Sequence, residues 1–206
     1  MVRELDQNLA LRDHLAEGLV ARTFPGELSP TATRELSLLT AKPVLYAANV
    51  AEDDLPDGNH HVDLVRKLAE EEGAEVVVIS AQVEAELAEL DGAERDEYLE
   101  SLGLERSGLE RLIEHAYQLL GLLTYFTAGP EESRAWTVPG GSTAPRAARE
   151  IHTDFERGFI KAEVIAFEDY ARLGTEAAAR DAGRLRIEGK EYVVADGDVI
   201  HFRFNV

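Results

Sequence analysis

Hydrophobic and polar positions divide the chain into three stretches with different periodicities. Residues 4–21 carry leucines close to a helical stripe, and Ser29 has the character of an N-cap for a second helix that ends near residue 40. The two helices predict an antiparallel helical arm over 1–42. The pattern then changes to an unbroken apolar run over 43–49, which is typical of a strand buried on both faces of a parallel sheet.

The strand over 43–49 opens a strand–helix–strand unit. A helix is predicted over 59–72, where apolar residues recur at helical spacing, and a β-branched strand follows over 74–79. Two parallel strands joined by a helix are expected to form a right-handed crossover. Three further helices are predicted over 83–90, 94–102 and 107–122, the last with Ser107 and Glu110 as a capping box.

From residue 123 onward, short strands predict a separate domain. The predicted elements are strands 122–127 and 132–138, a helix from Ser142 or Thr143 to Arg157, a strand over 160–167, a helix-prone stretch over 168–182, and a final strand pair, 184–194 with 198–205, around Asp196-Gly197. This order predicts a β-grasp over 123–206, in which a ubiquitin-like sheet cradles one helix.

Composition and charge exclude several classes of protein. The 206 residues contain no cysteine, which excludes a disulfide scaffold and a cysteine-based metal site. Without an 18-residue apolar run or a signal pattern, a cytoplasmic protein with no membrane contact is expected. The net charge of −19 argues against a general nucleic-acid coat. Residues 52–122 carry a net charge of −15 and residues 123–206 only −3, so a local basic face in the C-terminal part remains compatible with RNA.

Polar residues follow both predicted parallel strands, where open α/β sheets bind ligands. Asn49 ends the first strand and Glu52 lies three residues later, while Ser80-Ala81-Gln82 follows the second strand at the same sheet edge. Asparagine offers a donor and an acceptor and an ionised carboxylate only accepts, so together they can read the edge of a nucleotide base. The convergence of two loops is a better indication of a site than either motif alone.

Two other groups of residues are candidate sites. His60-His61 lies at a helix start beside acidic residues, where adjacent histidines are usually exposed to solvent, so no metal site is predicted. Four cations lie on or near the predicted β-grasp helix: Arg146, Arg149, Arg157 and Lys161. Acidic residues alternate with them, which favours ion pairs within the helix. The alternative is a small patch that faces RNA or the ribosome.

Six segments of the sequence resemble the YchF/Obg-like ATPases, P-loop proteins of the Obg branch that prefer ATP to GTP. The segments are TAKPVLYAANVAE, VVVISAQVEAELAEL, LLTYFTAG, ESRAWTV, APRAAREIHTDFERGFIKAEVIAFEDY and EGKEYVVADGDVIHFRFNV. The resemblance implies a helical arm over 1–42 and an α/β remnant of a P-loop NTPase domain over 43–122. An α+β β-grasp (ubiquitin-like TGS) domain follows over 123–206.

The resemblance also implies roles for the loop residues. Asn49-Val50-Ala51-Glu52 matches the family's N-x-x-E, which stands where GTPases have N-K-x-D, so Asn49 and the Val50 backbone are expected to contact adenine. Glu52 is expected to touch the base or to orient the loop. Ser80-Ala81 matches the second base loop, and Gln82 replaces the lysine of many relatives, which puts stacking of a lysine stem on the base in doubt.

The chain departs from the family pattern on the phosphate side. No G-x-x-x-x-G-K-[ST] motif is present in these residues, and Gly140-Gly141 is not followed by the required lysine. Because phosphoryl transfer depends on positioned phosphates and Mg²⁺, this chain alone is not expected to be catalytic. Two interpretations stay open. The chain is either the C-terminal portion of a ribosome-associated, Mg-ATP-binding YchF-type protein, which contacts the large ribosomal subunit and its RNA, or a non-enzymatic interaction module with vestigial nucleotide loops.

Overall fold

The strand–helix–strand unit predicted near the middle of the chain forms, and its two strands pair in parallel. In the computed structural model, which describes residues 2–26, 33, 35–129 and 132–205, strand β1 (Leu45–Asn49) runs beside β2 (Glu75–Ile79) in a register that places Asn49 opposite Ile79. Helix α2 (His60–Glu72) connects them. Its N-cap Asn59 accepts from the backbone N–H groups of residues 61 and 62.

The chain divides into two units, residues 1–119 and 120–206. The first unit contains the parallel pair and the helices around it. Further helices in its described residues are α1 (Val2–Ala16), α3 (Ala81–Leu87), α4 (Gly92–Ser101) and α5 (Gly108–Leu119), residues 33, 35 and 36 are also helical, and short 3₁₀ turns span Ala21–Thr23, Leu39–Ala41 and Glu52–Asp54.

Three predictions for the first unit, the two arm helices and the burial of β1, have different outcomes in the structure. The first helix ends at Ala16 instead of residue 21, and Gly18 beyond it adopts a φ of 81°, which ends a helix readily in glycine. Part of the second predicted arm helix, at 29–32 and 34, lies outside the described residues. The prediction that β1 is buried on both faces was wrong: Ala47 is exposed and its neighbours are half-buried, because β1 belongs to a sheet of only two described strands.

The capping box predicted for α5 is confirmed. The Glu110 N–H donates to Ser107 Oγ over 3.1 Å, and the Ser107 N–H donates back to Glu110 Oε2 over 3.2 Å. The N-terminus of this helix also receives Glu84 from α3, whose Oε1 accepts from the Gly108 N–H over 2.7 Å. The helix start is therefore fixed to the element that follows β2.

The second unit is a mixed five-stranded sheet with the order β4-β3-β7-β5-β6. Its elements are β3 (Leu122–Ala128), β4 (Ser133–Pro139), α6 (Ala144–Ile151), α7 (Thr153–Arg157), β5 (Phe159–Ile165), α8 (Phe167–Leu173), α9 (Glu176–Asp181), β6 (Arg186–Glu188) and β7 (Val199–Phe204). Strands β3 and β4 form the predicted antiparallel hairpin, whereas β3 and β7 pair in parallel. Helix α6 packs on one face, where Tyr125 is fully buried and donates its hydroxyl to the Ala147 carbonyl over 2.9 Å.

The predicted final strand pair was wrong. Strands β6 and β7 each pair with β5, and β7 lies between β3 and β5. The reason lies in Asp196 and Gly197, which bind β3 instead of closing a hairpin. Thr124 donates its N–H to Asp196 Oδ1 and accepts from the Gly197 N–H, both over 2.8 Å. These bonds direct β7 alongside β3.

The predicted helix from residue 143 to Arg157 is two helices in the structure. His152 adopts an extended conformation, with φ −160° and ψ 143°, and separates α6 from α7. Its Nδ1 accepts from the Asp154 N–H over 3.2 Å and so caps the second helix. The break changes the direction of the chain before β5.

Candidate functional site: the two loops after the parallel strands

The two predicted base-binding loops meet at one edge of the parallel pair. Asn49 is exposed at the end of β1, and its Oδ1 accepts from the Ala81 backbone N–H over 2.9 Å. The Val50 N–H donates to the Ile79 carbonyl, also over 2.9 Å. The side-chain bond leaves the Asn49 amide NH₂ group as a donor towards a ligand. Since the Val50 N–H is engaged in the sheet, the backbone group that Val50 can offer a ligand is its carbonyl.

The second loop combines a buried hydroxyl with exposed helix-start residues. Ser80 is 2% exposed, and its Oγ has no hydrogen-bond partner among the described residues. Ala81 and Gln82 are exposed at the start of α3. Gln82 donates through Nε2 to Glu86 Oε1, over 3.1 Å and one helical turn away. The glutamine side chain therefore lies along α3 in this structure.

The acidic loop after Asn49 is fixed by packing. Glu52 is half-buried and begins a 3₁₀ turn, which the Leu55 N–H closes on the Glu52 carbonyl over 3.0 Å. Leu55 packs against a buried cluster from the helices that follow β2, whose members are Val83, Leu87, Leu99 and Leu104. This contact holds the loop that carries Glu52 against the unit's helical layer.

Tyr98 on α4 belongs to the same neighbourhood, although no motif in the sequence predicts it there. Its hydroxyl donates to Glu86 Oε2 over 2.5 Å. That hydrogen bond, together with desolvation and the negative charge of Glu52, raises the pKa of Tyr98 to about 12. The Glu86 pKa is lowered, chiefly by the same bond. Tyr98 thus interacts with residues beside both loops, Glu86 and Glu52. This position results from the packing of the fold, and no local motif predicts it.

The arrangement has the chemistry needed to recognise a heterocyclic base. An amide donor, a backbone carbonyl and a half-buried carboxylate lie on one short loop, and a small-residue helix start adjoins it. Such groups can match donors and acceptors along the edge of a base. Ala81 is exposed, and its small side chain leaves space beside the loop for a planar ring.

The four cations of the second unit each have an acidic neighbour. Their ion pairs are Arg146 with Glu150 at 3.7 Å, Arg149 with Glu156 at 3.6 Å, Arg157 with Asp154 at 3.9 Å, and Lys161 with Glu163 at 3.0 Å. All but the last pair are well exposed on both sides, so each contributes little to stability. The cations are accessible, but partly neutralised.

The structure brings potential metal ligands together at a place other than His60 and His61. Among the described residues, the carboxylates of Glu163 and Glu176 and the imidazole of His201 lie within 4.8 Å of one another. Glu163 is buried, however, and its carboxylate already pairs with three basic groups, those of Lys161, Arg180 and Arg203. Because basic groups occupy its oxygens, we assign no metal to this cluster.

A closely similar fold occurs in a solved relative. The structure of the Schizosaccharomyces pombe YchF GTPase matches with a TM-score of 0.78 and 32% identity, over 98% of this chain and 55% of that one. A GTP binding protein from Pyrococcus horikoshii matches with a TM-score of 0.56 at 19% identity, which supports the fold alone. The chain thus has the α/β fold with a mixed sheet of a YchF GTPase.

Sequence comparisons agree with the structural match. The family model YchF-GTPase_C, described as a protein of unknown function (DUF933), covers residues 122–205. Proteins named Ribosome-binding ATPase YchF from Bacillus subtilis and Pasteurella multocida are 57% and 55% identical over 175 residues, which is 84% and 85% of this chain. The chain belongs to the YchF family. It spans about half the length of these relatives, 48% of each.

In the ranges that the structure describes, no helix is both long and apolar enough to cross a membrane.

Proposed function

We propose that this chain is the C-terminal portion of a ribosome-associated, ATP-binding protein of the YchF type. Residues 1–42 then form the end of a helical arm, 43–122 the C-terminal part of a P-loop NTPase domain, and 123–206 a TGS domain. The strand order of the second unit, in which the last strand lies between the first and the third, supports the β-grasp assignment for TGS. The parallel pair with its adjoining loops supports the NTPase assignment.

The observation that carries the nucleotide proposal is the 2.9 Å bond between Asn49 Oδ1 and the Ala81 N–H. It joins the two loops and leaves the asparagine NH₂ group as a donor for a ring nitrogen of adenine. The Val50 carbonyl is suited to accept from the adenine amino group, which guanine lacks at that position. Glu52 positions the loop, and Ser80, Ala81 and Gln82 border the other side of the base.

ATP would be held from two sides. This chain holds the base end, whereas the phosphates and Mg²⁺ need ligands from another polypeptide segment, because the present residues include no phosphate-loop motif. Mg-ATP would supply the hydrolysable phosphoanhydride when bound. The residues described here orient the base.

Mixing this chain with the N-terminal half of the Bacillus subtilis relative tests the nucleotide proposal. Calorimetric titration should detect ATP binding by the mixture, tighter than GTP binding. Replacing Asn49 by aspartate should remove the preference for ATP, whereas replacing Arg172, an exposed residue of the second unit, by alanine should leave it unchanged. Binding of a partner protein or the ribosome with no ATP binding by the mixture would instead favour an interaction module whose nucleotide loops are vestigial.

Association with the ribosome is proposed from the names of the relatives and from the accessible cations of the second unit. Arg146 and Arg149 are the central candidates for contact with ribosomal RNA, with Arg157 and Lys161 beside them. Charge reversal at Arg146 and Arg149 should reduce co-sedimentation with ribosomes, and added salt should weaken the parent chain's binding. Pelleting that neither change affects would exclude this patch.

A further inference from the structure

An aromatic groove in the second unit is lined by none of the four cations considered above. It has a volume of about 430 Å³ and opens between the β3–β4 hairpin, the end of the helical layer and β7. One wall is Trp136, with the Arg134 guanidinium 4.3 Å above its ring centre. Another part of the lining is the pair Phe155 and Phe204, whose rings stack with centres 3.6 Å apart.

The shape and chemistry of this groove suit a planar ligand. The guanidinium covers one face of the indole and the two phenyl rings stack on each other, so the remaining faces of these groups are the flat π surfaces on which nucleobases stack irrespective of their sequence. The indole Nε1–H is engaged by Thr127 Oγ1 over 2.9 Å, which fixes the ring orientation. Such a preformed aromatic wall does not need to reorganise when a base enters.

Charges at the mouth of the groove complement one nucleotide. Arg134 is 58% exposed and can pair with a backbone phosphate, since its contact with the exposed Glu132 is long, at 4.0 Å. Glu132 can accept from an N–H group on the edge of a base. An aliphatic peptide side chain would use the apolar lining but neither of these two groups.

We propose that this groove binds an unpaired base of single-stranded RNA, stacked against Trp136 and Arg134. The inference deepens the proposed ribosome association, because it assigns a second RNA contact that does not involve the four cations. The groove is also independent of the adenine loops, which belong to the other unit.

Trp136 is the only tryptophan in the sequence, so its fluorescence reports on this groove directly. Titrating the chain with a single-stranded oligouridylate should quench the emission saturably. Arg134→Ala should weaken binding about fivefold or more, the lower end of a stacking contribution. Its matched control, Arg172→Ala, also removes an exposed, ion-paired arginine but lies on α8 outside the groove, and should bind like the parent chain.

Two further measurements distinguish base stacking in this groove from binding by charge attraction alone and from binding at the adenine loops. Inorganic polyphosphate has no bases to stack and should quench the tryptophan emission far less than oligouridylate. Asn49→Ala should not alter quenching by oligouridylate, so failure of the adenine proposal leaves this test intact. No quenching by oligouridylate, or equal quenching by polyphosphate, would overturn the proposal, as would unchanged affinity in Arg134→Ala. If oligouridylate does not quench the emission, a protein segment becomes the expected occupant of the groove.

Discussion

Replacing Asn49 by alanine removes the side-chain bond that joins the two loops. The Asn49 Oδ1 atom accepts from the Ala81 N–H over 2.9 Å at an exposed position. A hydrogen bond of this kind contributes about 1 kcal/mol net, and at the surface water replaces part of the loss. One kcal/mol corresponds to about a fivefold change in an equilibrium constant. We therefore expect Asn49→Ala to accelerate hydrogen exchange of the Ala81 amide by up to about fivefold.

Asn49→Asp separates the structural role of this residue from recognition. Aspartate keeps an acceptor oxygen for the Ala81 N–H, so exchange at that amide should stay close to that of the parent chain. The substitution removes the NH₂ donor, so binding of adenosine should be lost. Exchange measured by NMR tests the first statement and a titration with adenosine tests the second, with Arg172→Ala, which lies in neither loop, as the control for both. Unchanged exchange at Ala81 in the alanine variant would refute the bridging role of Asn49.

Two further predictions concern stability. Tyr125→Phe deletes the buried hydroxyl that donates to the Ala147 carbonyl and should destabilise the second unit by about 1–2 kcal/mol in urea unfolding; an unchanged midpoint would contradict the role of this bond. In the first unit, hydrogen bonds from Arg22 and then Tyr46 hold the Glu72 pKa below its ordinary value of 4.5. Because its pKa is lowered in the folded state, the ionised Glu72 carboxylate stabilises the fold above about pH 4.5. This stabilisation is lost as the pH falls through the pKa of Glu72 in the folded state. The difference in unfolding free energy between the parent chain and Glu72→Gln should therefore narrow on acidification. A gap that is constant with pH would contradict this linkage.

The features that sequence predicted well depend on local rules or on one simple topology. Ser107 and Glu110 are three residues apart, so their reciprocal capping bonds follow from the helix start itself. Asn49 and Ala81 are 32 residues apart, yet they meet because a parallel crossover brings the carboxyl ends of both strands to one edge. The prediction needed no knowledge of the rest of the sheet.

The features that sequence did not predict depend on distant contacts. Asp196-Gly197 has the composition of a hairpin turn, but a bond from Thr124, 72 residues away, places β7 beside β3. Local propensity gives no account of such a pairing. Tyr98 likewise enters the loop neighbourhood only through packing of α4, and the break at His152 interrupts a stretch whose apolar spacing continues through it.

The most direct test of the central claim is a titration of the isotopically labelled chain with nucleosides, followed through its backbone amides. Adenosine should shift the amide signals of Val50, Ala81 and Gln82 saturably, and guanosine should shift them far less, because the Asn49 donor and the Val50 carbonyl complement adenine. If guanosine moved these signals as strongly, or if neither nucleoside moved them, the two loops would not form an adenine site.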